Sequence, residues 1–291
     1  MIPKEILDKV RRIEITTSRL VNDVFAGAYH SAFKGRGMEF DQVREYQVGD
    51  DIRSIDWNVT ARTGKAHVKQ YVEERELSIM ILVDASASNQ FASQGTLKNQ
   101  LAAELAAVLA FAAIGNNDKV GLLIFTDQVE LYIAPRKGKS HVLRVIREVL
   151  YFKPTSGGTN IPVGLEYFNR VSKRRCVGFL ISDFFQDGLQ KSLNLTNKHH
   201  DLIAVTLNDL RENTLPACGL IQIKDAETGQ LRLVDTSDEK IRAWYEEKSQ
   251  ERLSQRQRLF GLTGMDHIDL YTHESYTSAL VSFFAGRRRR I

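Results

Sequence analysis

Apolar and polar positions change period several times along the chain, and each change predicts an element. Residues 77–83 are almost all apolar and rich in Ile, Leu and Val, which predicts a strand buried on both faces. Similar runs recur at 119–125, 176–182 and 202–207. Helical segments separate them. Residues 97–114 are Ala- and Leu-rich, apolar nearly all round, and stopped by Gly115-Asn116-Asn117. Further helices are predicted at 140–152, from Pro162 to about 172, and at 189–200. Residues 129–134 return after Thr126-Asp127-Gln128 as a hairpin-like partner of 119–125. This alternation predicts an α/β fold, a Rossmann-like and mostly parallel sheet with helices on both faces.

The flanks follow other rhythms. Ile6, Val10, Ile13, Leu20, Val21 and Val24 have helical spacing broken near Thr16-Thr17, which predicts one or two amphipathic helices over residues 2–25. Gly27, Gly35 and Gly37 interrupt that pattern as turn residues. Residues 67–73 alternate in part and predict a strand leading towards the central one. We therefore divide the chain into an N-terminal addition, 1–76, and a main domain, 77–291. Within the latter, 219–224 and 230–234 alternate around Ala226-Glu227-Thr228-Gly229, an inserted hairpin near 219–235. A long charged helix over 239–260, whose simplest reading is a solvated face, then a strand at 267–271 and a helix at 275–286 complete the pattern.

Composition narrows the function. The net charge of +4 resides in Arg287–Arg290, a terminal run read as a solvated, mobile end; without these four, 36 basic residues balance 36 acidic ones. A nucleic-acid binder would carry its basic face on the folded body, so no nucleic-acid partner is expected. Two cysteines, Cys176 and Cys218, in apolar surroundings suit small buried side chains and a reducing compartment. The first residues lack a signal-peptide pattern, and the longest apolar stretch, 101–114, contains Glu104 and is too short to span a bilayer. The expectation is a soluble cytoplasmic protein without a transmembrane segment.

The central strand ends in chemistry. Asp84 terminates it, and Ser86 and Ser88 follow at alternate positions, so three oxygens can share one side of an extended segment. The carboxyl ends of strands are where open α/β sheets place ligands. Two further segments fit the same place: Gly157-Gly158-Thr159-Asn160-Ile161 before a helix, and Ile181-Ser182-Asp183 at the end of another core strand. Three hydroxyls and two carboxylates form an oxygen-only donor set suited to Mg²⁺, with Mn²⁺ or Ca²⁺ as alternatives. Such a site is at best charge-balanced. If a carboxylate binds through water, the cation keeps its appetite for a partner's carboxylate, and no nucleophile or base is evident.

The order Asp84-x-Ser86-x-Ser88, then Thr159, then Asp183 resembles the metal-ion-dependent adhesion site of von Willebrand factor A-like domains. Upstream, Val43-Arg44-Glu45-Tyr46, Gly49-Asp50-Asp51, Arg53, Ile55-Asp56-Trp57 and Ala61-Arg62-Thr63-Gly64 resemble the signature of the bacterial domain-of-unknown-function family fifty-eight. That resemblance implies a von Willebrand A-type fold and a cytoplasmic adaptor or chaperone-like partner of a MoxR-type AAA+ ATPase or its client. It assigns Asp84, Ser86, Ser88, Thr159 and Asp183 to the metal and no residue to catalysis. One departure stands out: Phe184-Phe185 follows Asp183 where many such domains have Gly. These aromatics either form an interaction surface or pack under the adjoining loop.

The alternative is a metal-dependent phosphohydrolase using Asp84 and Asp183. Against it, phosphatases of the haloacid-dehalogenase type place a second Asp two residues after the first, and here Ser86 stands there. There is no Gly-x-x-x-x-Gly-Lys-[Ser/Thr] loop for ATP. The histidines show no ligand spacing, and adjacent His199-His200 are explained by a helix C-terminus. For Asp50, Asp51, Arg53, Asp56 and Trp57, ion pairs and a Trp anchor that clamp the N-terminal segment to the sheet are slightly favoured over a binding role.

Overall fold

The structure, a computed structural model, describes residues 29, 32–33, 39–72, 76–90, 93, 97–224 and 229–288. The expected helices over 2–25, the Gly27–Gly37 turns, the turn at 226–228 and Arg289–Arg290 lie outside them. The described residues form two compact units, one running from Phe33 to Glu76, the other comprising Tyr29, Ala32 and everything from Leu77 onward.

In the smaller unit, β1 (Glu39–Glu45) and β2 (His67–Val72) pair antiparallel. Between them lie a single 3-10 turn, Ile52–Ser54, and the short helix α1 (Trp57–Thr63). Asp56 caps α1, accepting from the amides of Asn58 at 2.9 Å and Val59 at 3.2 Å. Arg44 grips Asp50 with two hydrogen bonds of 2.7 Å. The strand expected at 67–73 is β2, and it pairs with β1 in a two-stranded sheet of its own. One expectation is corrected here. Trp57 opens a helix and is 67% exposed, so it is not an anchor. Val68, bridged to Ile55, is buried.

The larger unit is built on a six-stranded sheet. Its strands are β3 (Ser78–Asp84), β4 (Lys119–Phe125), β5 (Val129–Arg136), β6 (Val177–Ser182), β7 (Asp201–Asn208) and β10 (Asp266–Tyr271). The order is β10-β7-β6-β3-β4-β5, all parallel except β5, which runs antiparallel to β4. The apolar runs follow from double-sided burial: Ile79 to Leu82 are wholly inaccessible. Met80, Leu82, Leu123, Phe125, Leu180 and Ala204 share one packed layer with Ile161, Leu165 and Phe168 of helix α4 (Ile161–Val171). Leu193 of α5 (Gln190–His199) and Phe260 of α6 (Glu239–Thr263) belong to that layer. The intervening Ile79, Ile81, Leu122, Ile124 and Ile181 are equally buried and point to the opposite face. There α2 (Lys98–Gly115) and α3 (Lys139–Tyr151) pack on each other and on the central strands.

Close approach fixes how α4 sits. A Cβ on Gly164 would lie 2.8 Å from the ring of Phe125, so the helix rests flush on β4 only because that residue is glycine. The expected hairpin is present as β8 (Leu220–Lys224) and β9 (Leu231–Asp235), paired antiparallel. The last helix, α7 (Tyr276–Arg288), is tied down by Arg287, which bonds Asp201 and Asp266. Arg287 is thus a fixed residue, contrary to the reading of the whole Arg run as mobile. Cys176 is buried as expected, but Cys218 is exposed, beside the Thr236 hydroxyl. No helix among the described residues is long and apolar enough to cross a membrane.

Candidate functional site

The chain order along the sheet reverses between β3 and β6: β4 and β5 lie on one side, β7 and β10 on the other. A crevice opens at such a switch point, outside the carboxyl ends of the strands. Asp84 is the last residue of β3, and Asp183 is the first residue beyond β6. Both are buried, at 2% and 3% exposure.

The first loop is held by its own backbone. Asp84 accepts the Ser86 amide on Oδ1 at 3.0 Å and the Ser182 hydroxyl on Oδ2 at 2.7 Å. Ser86 Oγ and Ser88 Oγ are 3.1 Å apart. The Ala85 amide donates to the Phe125 carbonyl, and the Ala87 amide to the Gly157 carbonyl at 3.2 Å, which ties this loop to the Gly-Gly-Thr loop. Thr159, half-buried, stands one residue before Asn160, the cap of α4, whose side chain accepts the Val163 amide. The Asn160 amide in turn donates to the Thr126 carbonyl at 2.9 Å. The structure thus gathers Asp84, Ser86 and Ser88 on one loop beside Asp183. Thr159 is carried on the loop bonded to theirs.

Burial and then the charge of Asp183 push the Asp84 carboxyl up to about 6, while the Ser182 and Ser86 bonds pull it down. The neighbouring Asp183 charge adds to the cost of ionising Asp84, a cost that a cation here would lower. Among the described residues, no group of three or more His, Cys, Asp or Glu side chains is placed to hold a metal. A cation in this crevice would have two carboxylates and hydroxyls to rest on. That all-oxygen set fits a hard divalent ion and offers nothing to a soft one.

Several residues that the sequence did not single out support this arrangement. Ser182 holds Asp84 from the neighbouring strand. Arg256, 6% exposed, donates to the Asp183 carbonyl at 3.0 Å and to Asn208 Oδ1 at 2.7 Å. The charged helix α6 is therefore more than a solvated face, since Ser249, Arg256, Phe260 and Thr263 are all buried. Behind the crevice, Lys98, wholly buried, reaches Glu212 at 2.5 Å, and Glu212 forms a capping box with Asp209. The two aromatics divide their tasks. Phe184 is buried edge-on against Phe260, their centroids 5.1 Å apart, with φ of 59°. That left-handed conformation is the physical reason glycine suits this position. Phe185 is 41% exposed, with the guanidinium carbons of Arg252 and Arg256 5.3 and 5.8 Å from its ring centre.

Residues 42–255 match the family described as "Protein of unknown function DUF58". The chain belongs to the DUF58 family. A curated relative, uncharacterized protein Rv1480 of Mycobacterium tuberculosis, is 29% identical over 283 residues, covering 96% of this chain and 89% of its own. Among solved structures, an aerotolerance-related membrane protein from Bacteroides fragilis is 14% identical with a TM-score of 0.52, covering 74% of this DUF58 chain and 100% of that one. That likeness is one of fold. The SpRpn10 VWA domain is also similar, at 12% identity and a TM-score of 0.40, over 71% of this chain and 94% of that one.

Proposed function

We propose that this DUF58 protein is a non-enzymatic recognition module whose crevice holds Mg²⁺ on Asp84, Ser86, Ser88, Thr159 and Asp183. The observation that supports this reading most is the meeting of three loops at one switch point with only oxygen donors between them. A bound cation would supply a Lewis-acidic position for an acidic side chain of a protein partner. The chain's own residues do the positioning. Ser182 and the Ser86 amide orient Asp84, Arg256 fixes the backbone at Asp183, and the Ala87–Gly157 bond sets the spacing of the first two loops. The partner we propose is a MoxR-type AAA+ ATPase or its client, met in the cytoplasm.

The phosphohydrolase alternative asks Asp84 to act as a nucleophile or proton carrier. Both of its oxygens already accept hydrogen bonds, which argues for a fixed acceptor. Titration calorimetry of Mg²⁺ into the wild type and Asp84→Ala tests the metal. Binding is expected to disappear in the variant, and equal binding by both proteins refutes the site. A pull-down of the ATPase with and without chelator then tests the partner.

A further inference from the structure

Because β6, β7 and β10 run parallel, their amino-terminal ends share the edge of the sheet opposite the Asp84 crevice. The chain enters that edge through two connections tied together. The Cys176 amide donates to His200 Nδ1 at 3.2 Å, and the Asp201 amide to the Cys176 carbonyl at 2.9 Å. Lys173, Arg174 and Arg175, all exposed, form the connection from α4 to β6. With Asn169, Ser172 and His199 they line a recess of about 210 Å³. Lys198 and His199 end α5, and Arg170 is the last basic residue of α4.

Among the described residues, none of Arg170, Lys173, Arg174, Arg175 and Lys198 forms an ion pair. The carboxylates that open β7 and β10, Asp201 and Asp266, are both bound by Arg287. The bond to Asp201 brings the end of α7 to this edge.

We propose that this edge docks on an anionic phospholipid surface. Helix C-termini account for a cation or two; a set of this size without acidic partners is the pattern that binds lipid phosphates. Two observations favour a membrane over nucleic acid. Among the described residues, no Phe, Tyr or Trp lines the recess to stack on a base. Leu195, 50% exposed on α5, lies one turn from Lys191, Lys198 and His199, the pairing of apolar and basic side chains found at lipid interfaces. Docked so, the Asp84 crevice faces away from the membrane.

The test is co-sedimentation of the full chain with phosphatidylcholine vesicles, with and without phosphatidylglycerol, at low and physiological salt. The wild type is expected to bind only the anionic vesicles, less as salt rises. Lys173→Glu/Arg174→Glu/Arg175→Glu is expected to lose at least about a hundredfold in affinity. The milder triple change to Gln, checked for native circular dichroism, should lose affinity in the same direction. Absence of wild-type binding, equal binding to neutral vesicles, or unaltered binding by the folded Gln variant overturns the proposal. Tighter binding to a mixed-sequence DNA duplex, lost in the same variants, overturns it in favour of nucleic acid.

Discussion

Phe184 sits where the backbone favours glycine, and substitution there separates two opposed energies. With φ of 59°, a residue bearing a Cβ costs about 1–2 kcal/mol relative to glycine. The ring holds its place because it is 4% exposed and packed on Phe260. Phe184→Ala removes that packing, at about 3–5 kcal/mol, and keeps the backbone strain. Phe184→Gly loses the same packing and releases the strain. Against that release stands up to about 1 kcal/mol of added freedom in the unfolded chain. The glycine variant should therefore be at least as stable as the alanine variant. Inside an ordinary helix or strand it would fall about 0.5–1 kcal/mol below. Urea unfolding of the three proteins, followed by circular dichroism, measures the order. An alanine variant more stable than the glycine variant by about 1 kcal/mol refutes the strain argument, and two variants as stable as wild type refute the packing argument.

Two further outcomes are expected. Burial, His199 and Arg175 hold the His200 imidazole down to about 4, and its Nδ1 accepts the Cys176 amide, so the neutral ring is the folded form. Its contribution is complete above about pH 6.5 and is lost as pH falls to about 4. His200→Asn should flatten a plot of unfolding free energy against pH in that window, and an unchanged slope would count against it. Lys98→Ala leaves Glu212 buried without its cation and should cost about 3–5 kcal/mol, most of it recovered in Lys98→Met/Glu212→Gln. Thermal unfolding that shows no recovery in the double variant contradicts that assignment.

Buried parallel strands are contiguous apolar runs, which is why the positions of β3, β4, β6 and β7 were legible in the sequence. The Ser86 and Ser88 hydroxyls do come together, 3.1 Å apart, but through a 3-10 turn at Ala87–Gln90 and not through the extended segment that their alternate spacing suggested. Elsewhere the physics is hidden from local pattern. In β1 a register shift between Phe40 and Gln42 breaks the two-residue period, so the strand left no signal. Arg256 lies 73 residues beyond the Asp183 carbonyl it binds, inside a helix so charged that one buried guanidinium is indistinguishable from its neighbours. Trp57 misled in the opposite direction, because size and apolarity say nothing of which way a helix-opening side chain turns.

The seat of α4 on β4 bears on how such a protein can drift. Thr159 and Asn160 precede that helix directly, so its height above the sheet sets theirs. Mutation of Gly164 to anything larger drives a Cβ into the Phe125 ring and lifts the whole helix start. The substitutions open to descendants of this chain are therefore paired, a smaller residue at 125 arriving with a larger one at 164. Selection on the crevice falls partly on two residues that contribute no oxygen to it.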